Sequence, residues 1–378
     1  MGIEARLVDP LEALHGARER RETGRPRSLR VALVVPQSGP LGLTGPSAVD
    51  AALLAAHEVN TAGGVRGCPL ELVLVDGGAA PATVAAGTRA LLAAGAVDAV
   101  AGCHASDVHR AVRAVVAGRV AYVFTPPHEG GARLPGVLRT GVDPARQLRG
   151  QLERLTARHR LRRWALIGND YVWPHAVHRA ARTLLAGTPA QVVLERRIPI
   201  GTAGAALEPL LAALRRSRVD AVLLSLIGRD LVGFNRALRH AGLDHLVRLS
   251  AALEENGLLA YGGDDSGTLY ASMPSFASLA QERRLRLTER HLALFGPRAP
   301  VLDAYAEGLY DGLHLVAALA ERRALVPRGL TRAAGRLLHG DDAATRRAWA
   351  RAPLGPPREQ VHLARAEGLD FAVLTPRA

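Results

Sequence analysis

The residues able to do chemistry gather in six short segments, 37–45, 102–106, 125–130, 169–175, 227–230 and 251–255. Within or beside them lie Tyr122, Phe124, Tyr171, Trp173, His104, His128 and His175, in a chain that is only 4% aromatic. Rings and imidazoles concentrated in loops point to a small-molecule cleft, because such sites are apolar walls with a few placed polar groups. Ser106 stands where a helix should begin. Its hydroxyl can cap that helix alone, or also offer itself and the free N–H groups to a carbonyl or carboxylate oxygen. Asp170 can accept from an amino or amide N–H, or simply tighten its loop as an Asx turn. His104 and His109 are five positions apart, not the four that align two metal ligands on one helical face. His128 and His175 have no obvious carboxylate orienter to be read from the sequence, so no metal site is expected.

Composition removes several classes of activity. The chain of 378 residues holds 48 basic side chains, every one an arginine. Walker A, kinase and Schiff-base lysines are therefore absent. Cys68 and Cys103 form no CxxC or CxxH pair, which excludes a disulfide framework and argues against a thiolate-bound zinc. No G-x-S-x-G, H-E-x-x-H or G-x-G-x-x-G occurs, so no motif names a nucleophile or a dinucleotide loop. No catalytic residue and no cofactor are expected.

The formal charge of +13 is spread along the chain, in a composition dominated by Ala, Arg, Leu, Gly and Val. Its densest part is 18–22, followed by Arg25, Arg27 and Arg30. Residues 1–29 read as a disordered basic leader, with an arm for an acidic partner as the alternative. Direct nucleic-acid binding is not expected, since few aromatics are present to stack on bases. Residues 1–30 lack the apolar run of a signal peptide and a lipid-accepting cysteine, and no run of about 20 apolar residues follows. The expectation is a cytoplasmic protein, with an extracytoplasmic one as the alternative if the start site is misassigned.

These loops must be positioned by something, and the pattern between them is regular. Short β-branched runs such as RVALVV, LELVLV and AVLLS alternate with stretches of helical periodicity. Strands alternating with helices across short loops predict a parallel sheet covered on both faces. The series restarts near 140–144, where Asp143-Pro144 forms a helix-start pair, and the two halves are similar in size. A long helix over 302–319 and a hairpin-like pair around 361–374 close the chain. Ligands in such sheets bind at the carboxyl ends of the strands. Two lobes joined by several crossovers make a hinged clamp.

The stretch RVALVVPQSGPLGLTGPSAVDAALLAAHEVNTAGGVRGCPLELVLVDGG resembles the opening of type I periplasmic binding proteins of the branched-chain amino acid class. AGCHASDVHRAV, TPPHEGG, LIGNDYVWPHAVHRAAR and LERRIPIG are similar to the urea and short-chain amide subgroup. That subgroup includes substrate-binding components of ABC importers and AmiC-type amide sensors acting from the cytoplasm. The resemblance spans about 30–320 and implies two Rossmann-like lobes, about three crossovers and a ligand cleft between them. Lobe one is expected over 30–141 plus about 273–338, and lobe two over 142–272 plus about 339–378. It implies cleft roles for Ser106, for Phe124, Thr125, Pro126 and Pro127, for Asp170, Tyr171 and Trp173, for Ile227 and Gly228, and for Glu254 with Glu255. His104 stands where the family often has an aromatic residue, His128 where it has Tyr, Asn169 for Ser and His175 for Arg. Imidazoles at the rim imply a more polar or anionic ligand, or pH-dependent binding.

The implied function is non-catalytic binding of a small amide, urea or related nitrogen compound, by a sensor regulating an amide-utilisation operon. The alternative is the substrate-binding component of an ABC importer for urea, short-chain amides or branched-chain amino acids. The implied partners are an RNA-binding antiterminator or an ABC permease, with a homo-oligomer also open.

Overall fold

The β-branched runs form two sheets, each clothed by helices. The computed structural model describes residues 3–23, 28–340, 342–357 and 360–374. The first sheet contains β1 (Arg6–Val8), β2 (Leu29–Val35), β3 (Leu70–Asp76), β4 (Ala99–Gly102), β5 (Ala121–Phe124) and β6 (Val137–Arg139). Their spatial order is β1-β3-β2-β4-β5-β6 and every pairing is parallel. The second sheet contains β7 (Arg163–Asn169), β8 (Gln191–Ile198), β9 (Ala221–Ser225), β10 (Val247–Ser250), β11 (Leu269–Met273), β12 (His362–Glu367) and β13 (Asp370–Val373). It runs β13-β12-β11-β10-β9-β7-β8, with only β12 antiparallel to its two neighbours. Central strands such as β9 are buried along their whole length, as expected for parallel strands covered on both faces.

Helices α1 (Pro10–Thr23), α2 (Gly45–Thr61), α3 (Pro81–Ala94) and α4 (Ser106–Val116) belong to the first lobe. The second lobe has α5 (Pro144–Leu148), α6 (Gln151–Arg158), α7 (Val172–Leu185), α8 (Glu208–Arg216), α9 (Gly228–His240) and α10 (Glu255–Tyr261). The chain then returns to lobe one for α11 (Glu282–Phe295), α12 (Ala304–Glu321), α13 (Leu330–His339) and α14 (Ala343–Ala348). Residues of α2, α12 and α13 form one core layer of the first sheet, and α1, α3 and α4 form the other. The three crossovers expected from the sequence lie between β6 and α5, β11 and α11, and α14 and β12. The last comes later than expected, because Ala348 and Trp349 still pack in the first-lobe core.

The leader is not a free arm where it is described. β1 pairs in parallel with β3, from Arg6 opposite Glu71 to Val8 opposite Val73. Val8, Ala13 and Ala17 are buried. A three-residue strand carries no periodicity, and the charged end of α1 dominates the composition, so the pairing could not be read from the sequence. It covers an edge that would otherwise leave the N–H and C=O groups of β3 open.

Buried polar groups tie the crossovers down. Gln147 of α5 donates to the carbonyls of Ala251, at 2.8 Å, and Ser272, at 2.7 Å. Asp303 caps α12 with one carboxylate oxygen. Its other oxygen accepts from Ser47 of α2 and Asn256 of α10, both at 2.8 Å. A single carboxylate thus joins both lobes at the hinge.

Candidate functional site

The loops after β2, β4, β5, β7 and β9 meet between the lobes around a half-open cavity of about 40 Å³. A water occupies roughly 10–15 Å³ by this measure, so the space suits a molecule of only a few non-hydrogen atoms. Among the expected residues, Ser106, His104, Pro126 and Pro127 line it from lobe one, and Tyr171, Trp173 and Ile227 from lobe two. Leu41, Thr44, Cys103, Ala105 and Tyr305 also line it, and were not singled out in the sequence. Tyr305 lies beyond the second crossover, far from the other wall residues in sequence, so only the fold brings it here.

The lobes are in contact. Leu41 and Leu43 pack against the core of the second lobe. Gly228, at φ +46°, begins α9 with its α-carbon against the carbonyl of Pro40. A Cβ at that position would lie 2.0 Å from the Pro40 oxygen. Gly228 is thus a closure point and not a wall of the cavity.

Ser106 is the first residue of α4, while Ala105 occupies the cap position and makes no side-chain cap. Ser106 is a buried residue whose hydroxyl makes no hydrogen bond among the described residues; of the leading N–H groups of α4, which lack a carbonyl one turn back, that of Val108 donates to Asp107. Across the cavity, the Trp173 ring is 4% exposed and its Nε1–H is buried without an acceptor. The Tyr171 hydroxyl also makes no hydrogen bond among the described residues, and burial pushes it well above the usual phenol range. Three residues that line one small space therefore carry donors with no partner among the described residues. Burial, with Asp303 and Glu254 nearby, pushes the Cys103 thiol up and keeps it protonated at neutral pH.

His104 is a buried part of the wall and not a rim switch. It folds back over Gly102, where a Cβ would stand 2.7 Å from its Nε2. Its Nδ1–H donates to the Ala105 carbonyl at 3.1 Å, so Nε2 accepts from the Tyr122 hydroxyl at 3.1 Å. Tyr122 in turn accepts from His109 Nδ1–H at 2.9 Å, leaving only a lone pair on His109 Nε2 unmatched. Burial lowers His104 to about 4 and His109 to about 2. His128 is lowered to about 4, by burial and then by Arg139. None of the three changes charge near neutral pH, so the expected pH-dependence does not arise from them.

The remaining expected residues lie elsewhere. Phe124 is fully buried and stacks on His109 with ring centroids 4.1 Å apart; strand alternation points it into the α3–α4 layer. Thr125 packs against α12, where Gly312 makes room for its methyl group. His128 accepts from the Gly130 N–H at 3.0 Å and lines a groove outside the cavity. Asp170 is turned outward, because its N–H is held by the Ile198 carbonyl at 2.7 Å. It pairs there with His175 at 3.1 Å. Glu254 caps α10, accepting from the N–H groups of Asn256 at 2.6 Å and Gly257 at 2.8 Å. Burial, Asp303 and Glu255 push its carboxyl well up. Glu255 lies next to it, pushed up to about 7 by burial, and does not line the cavity. Asn169 proves more important than its sequence suggested. It accepts from the Ile227 N–H at 2.9 Å and donates to Asp230 at 2.7 Å, fixing the second-lobe wall.

A family model described as periplasmic binding protein matches residues 28–360. Among solved structures, a branched-chain amino acid transporter substrate-binding protein from Streptococcus pneumoniae, in complex with isoleucine, is 16% identical. The match covers 92% of this chain and 100% of that one, with a TM-score of 0.74. A fatty acid ABC transporter substrate-binding protein from Thermomonospora curvata is 17% identical over 92% and 91% of the two chains, with a TM-score of 0.77. An ABC transporter solute-binding protein from R. palustris, in complex with benzoate, is 16% identical over 92% and 95%, with a TM-score of 0.74. Two lobes built on largely parallel sheets share their fold with those structures, and the chain belongs to the periplasmic binding proteins.

Proposed function

We propose that the protein is a non-catalytic receptor that closes on a small carbonyl compound, an amide, urea or short carboxylate. The observation that carries this reading is that Ser106, Tyr171 and Trp173, whose Oγ–H, O–H and Nε1–H have no acceptor among the described residues, all line one cavity of about 40 Å³. A carbonyl or carboxylate oxygen satisfies such donors and gains from the N-terminus of α4. No carboxylate side chain lines the space, so the ammonium of an amino acid would find no counter-charge there. Contacts come from both lobes, so a ligand favours the closed form by its differential affinity.

The output of closure is read here as regulation of amide utilisation, from the cytoplasm and through an RNA-binding antiterminator. The second reading, a substrate-binding component of an ABC importer docking on a permease, is favoured by the similar solved structures, which are named as transporter substrate-binding proteins. Fractionation of cells expressing the native gene, with identification of the co-purifying protein, separates the two.

Thermal unfolding against acetamide, urea, acetate, benzoate and branched-chain amino acids tests the ligand class. Binding at a hundred times Kd stabilises by about 2.7 kcal/mol. A midpoint rise with an amide, urea or short carboxylate, abolished by Ser106→Ala, supports the proposal. A rise with branched-chain amino acids alone overturns it.

A further inference from the structure

Outside the ligand cavity, the lobes also frame an open groove of about 970 Å³. Arg110 and Arg113 of α4 line it from lobe one, with Arg133 and Arg139 from the loop that leads into and through β6. Arg146 and Arg179 line it from lobe two. Only Glu129 and Asp143 oppose them, and Asp143 is engaged in capping α5. Arg110, Arg113, Arg133 and Arg179 make no ion pair among the described residues, while Arg139 is spent on the carbonyls of Gly130 and Gly131. Some arginines elsewhere are held in ion pairs, as Arg283 is with Glu307 and Asp311, and Arg248 with Asp264. Here six arginines face two carboxylates, and the groove carries an excess of positive charge. Burial lowers the Arg139 guanidinium, and Arg113 and Arg133 lower it further despite the opposing pull of Glu129.

We propose that this inter-lobe groove is a second binding site, for a small, multiply charged phosphate anion such as a pyrophosphate or a phosphorylated metabolite. Guanidinium forks suit phosphate because they donate two parallel hydrogen bonds to it. A concave low-dielectric wall with charge of one sign also concentrates anions. The two sites share their walls. Helix α4 supplies Ser106 to the cavity and Arg110 and Arg113 to the groove; α7 supplies Trp173 to the cavity and Arg179 to the groove. Closure that brings Trp173 toward Ser106 therefore brings Arg179 toward Arg110 and Arg113. An anion bridging the groove favours the closed form, and by linkage it tightens the cavity for its own ligand.

The test is calorimetric titration of the full chain with inorganic pyrophosphate at fixed ionic strength, alongside sulfate and oligo-glutamate. Saturable pyrophosphate binding, weakened tenfold or more in Arg113→Gln/Arg179→Gln and unchanged in Arg216→Gln on α8, supports the site. A decrease in solution radius on adding pyrophosphate, absent in Arg179→Gln, supports its bridging role without needing any cavity ligand. Should the double variant fold poorly, Arg110→Gln/Arg133→Gln serves in its place. Equal weak heats for pyrophosphate and sulfate, or binding of oligo-glutamate alone, overturns the proposal; the second result makes the groove a protein-docking surface.

Discussion

The carbonyl oxygen of Pro40 in the first lobe stands 2.0 Å from the place a Cβ on Gly228 of the second lobe would occupy. Two backbones of different lobes meet here with no side chain between them. Gly228→Ala should therefore act chiefly on closure. The positive φ adds a local cost of about 1–2 kcal/mol. The expected outcome is a ligand affinity at least tenfold lower and no ligand-induced compaction by small-angle scattering. Compaction equal to that of the unaltered protein would falsify the assignment of Gly228 as the closure point.

Trp173 is predicted to separate ligand affinity from stability. Its buried N–H has no acceptor, a situation that costs about 1–3 kcal/mol until something accepts from it. Trp173→Phe keeps an aromatic ring and removes the donor, at the loss of the indole's second ring. The empty protein should melt at the same temperature or slightly higher, while affinity for the carbonyl ligand falls about tenfold or more. Paired melts and titrations check this, and a variant that loses stability without losing affinity would reduce Trp173 to packing.

Glu255 should make stability fall as pH rises through the neutral range. Burial raises its carboxyl from 4.5 to about 7 in the folded chain. One oxygen accepts from the Ala277 N–H and the other is buried without a partner. A raised value means the contribution is complete below pH 4.5 and is lost as pH climbs to 7, a change of about 3 kcal/mol. Denaturant melts at pH 5 and pH 8 measure it. In Glu255→Gln the gap between the two pH values should narrow; an unchanged gap assigns the dependence to other groups.

Removing residues 1–27 should destabilise the first lobe instead of merely trimming an arm. The deletion uncovers the β3 edge and the apolar surface under Val8, Ala13 and Ala17. The expected result is a lower melting midpoint and concentration-dependent association through the open edge. A truncated protein with the same midpoint and a monomeric profile would return this segment to the status of a leader.

Legibility differed by level. The βα alternation was plain because parallel strands such as LRVALVV are buried on both faces, and their helices repeat apolar residues at helical spacing. Asp143-Pro144 marked the first crossover correctly, since Asp143 accepts from the Arg146 N–H. The site was half legible. Loops at strand ends located Ser106, Tyr171, Trp173 and Ile227, but not the direction in which Phe124, Asp170 or Glu254 points. Phe124 was lost to strand alternation, Asp170 to a backbone bond with Ile198, and Glu254 to the cap of α10.

The sequence by itself determined the elements, their order and the family they belong to, because periodicity and turn chemistry are local properties of the chain. Only the tertiary structure decided which polar groups are left without partners, and function at a cleft turns on that. Ser106 and Trp173 lie on different lobes, and Tyr305 arrives from beyond the second crossover. Their meeting depends on closure of two separately folded sheets, and no local pattern encodes that distance.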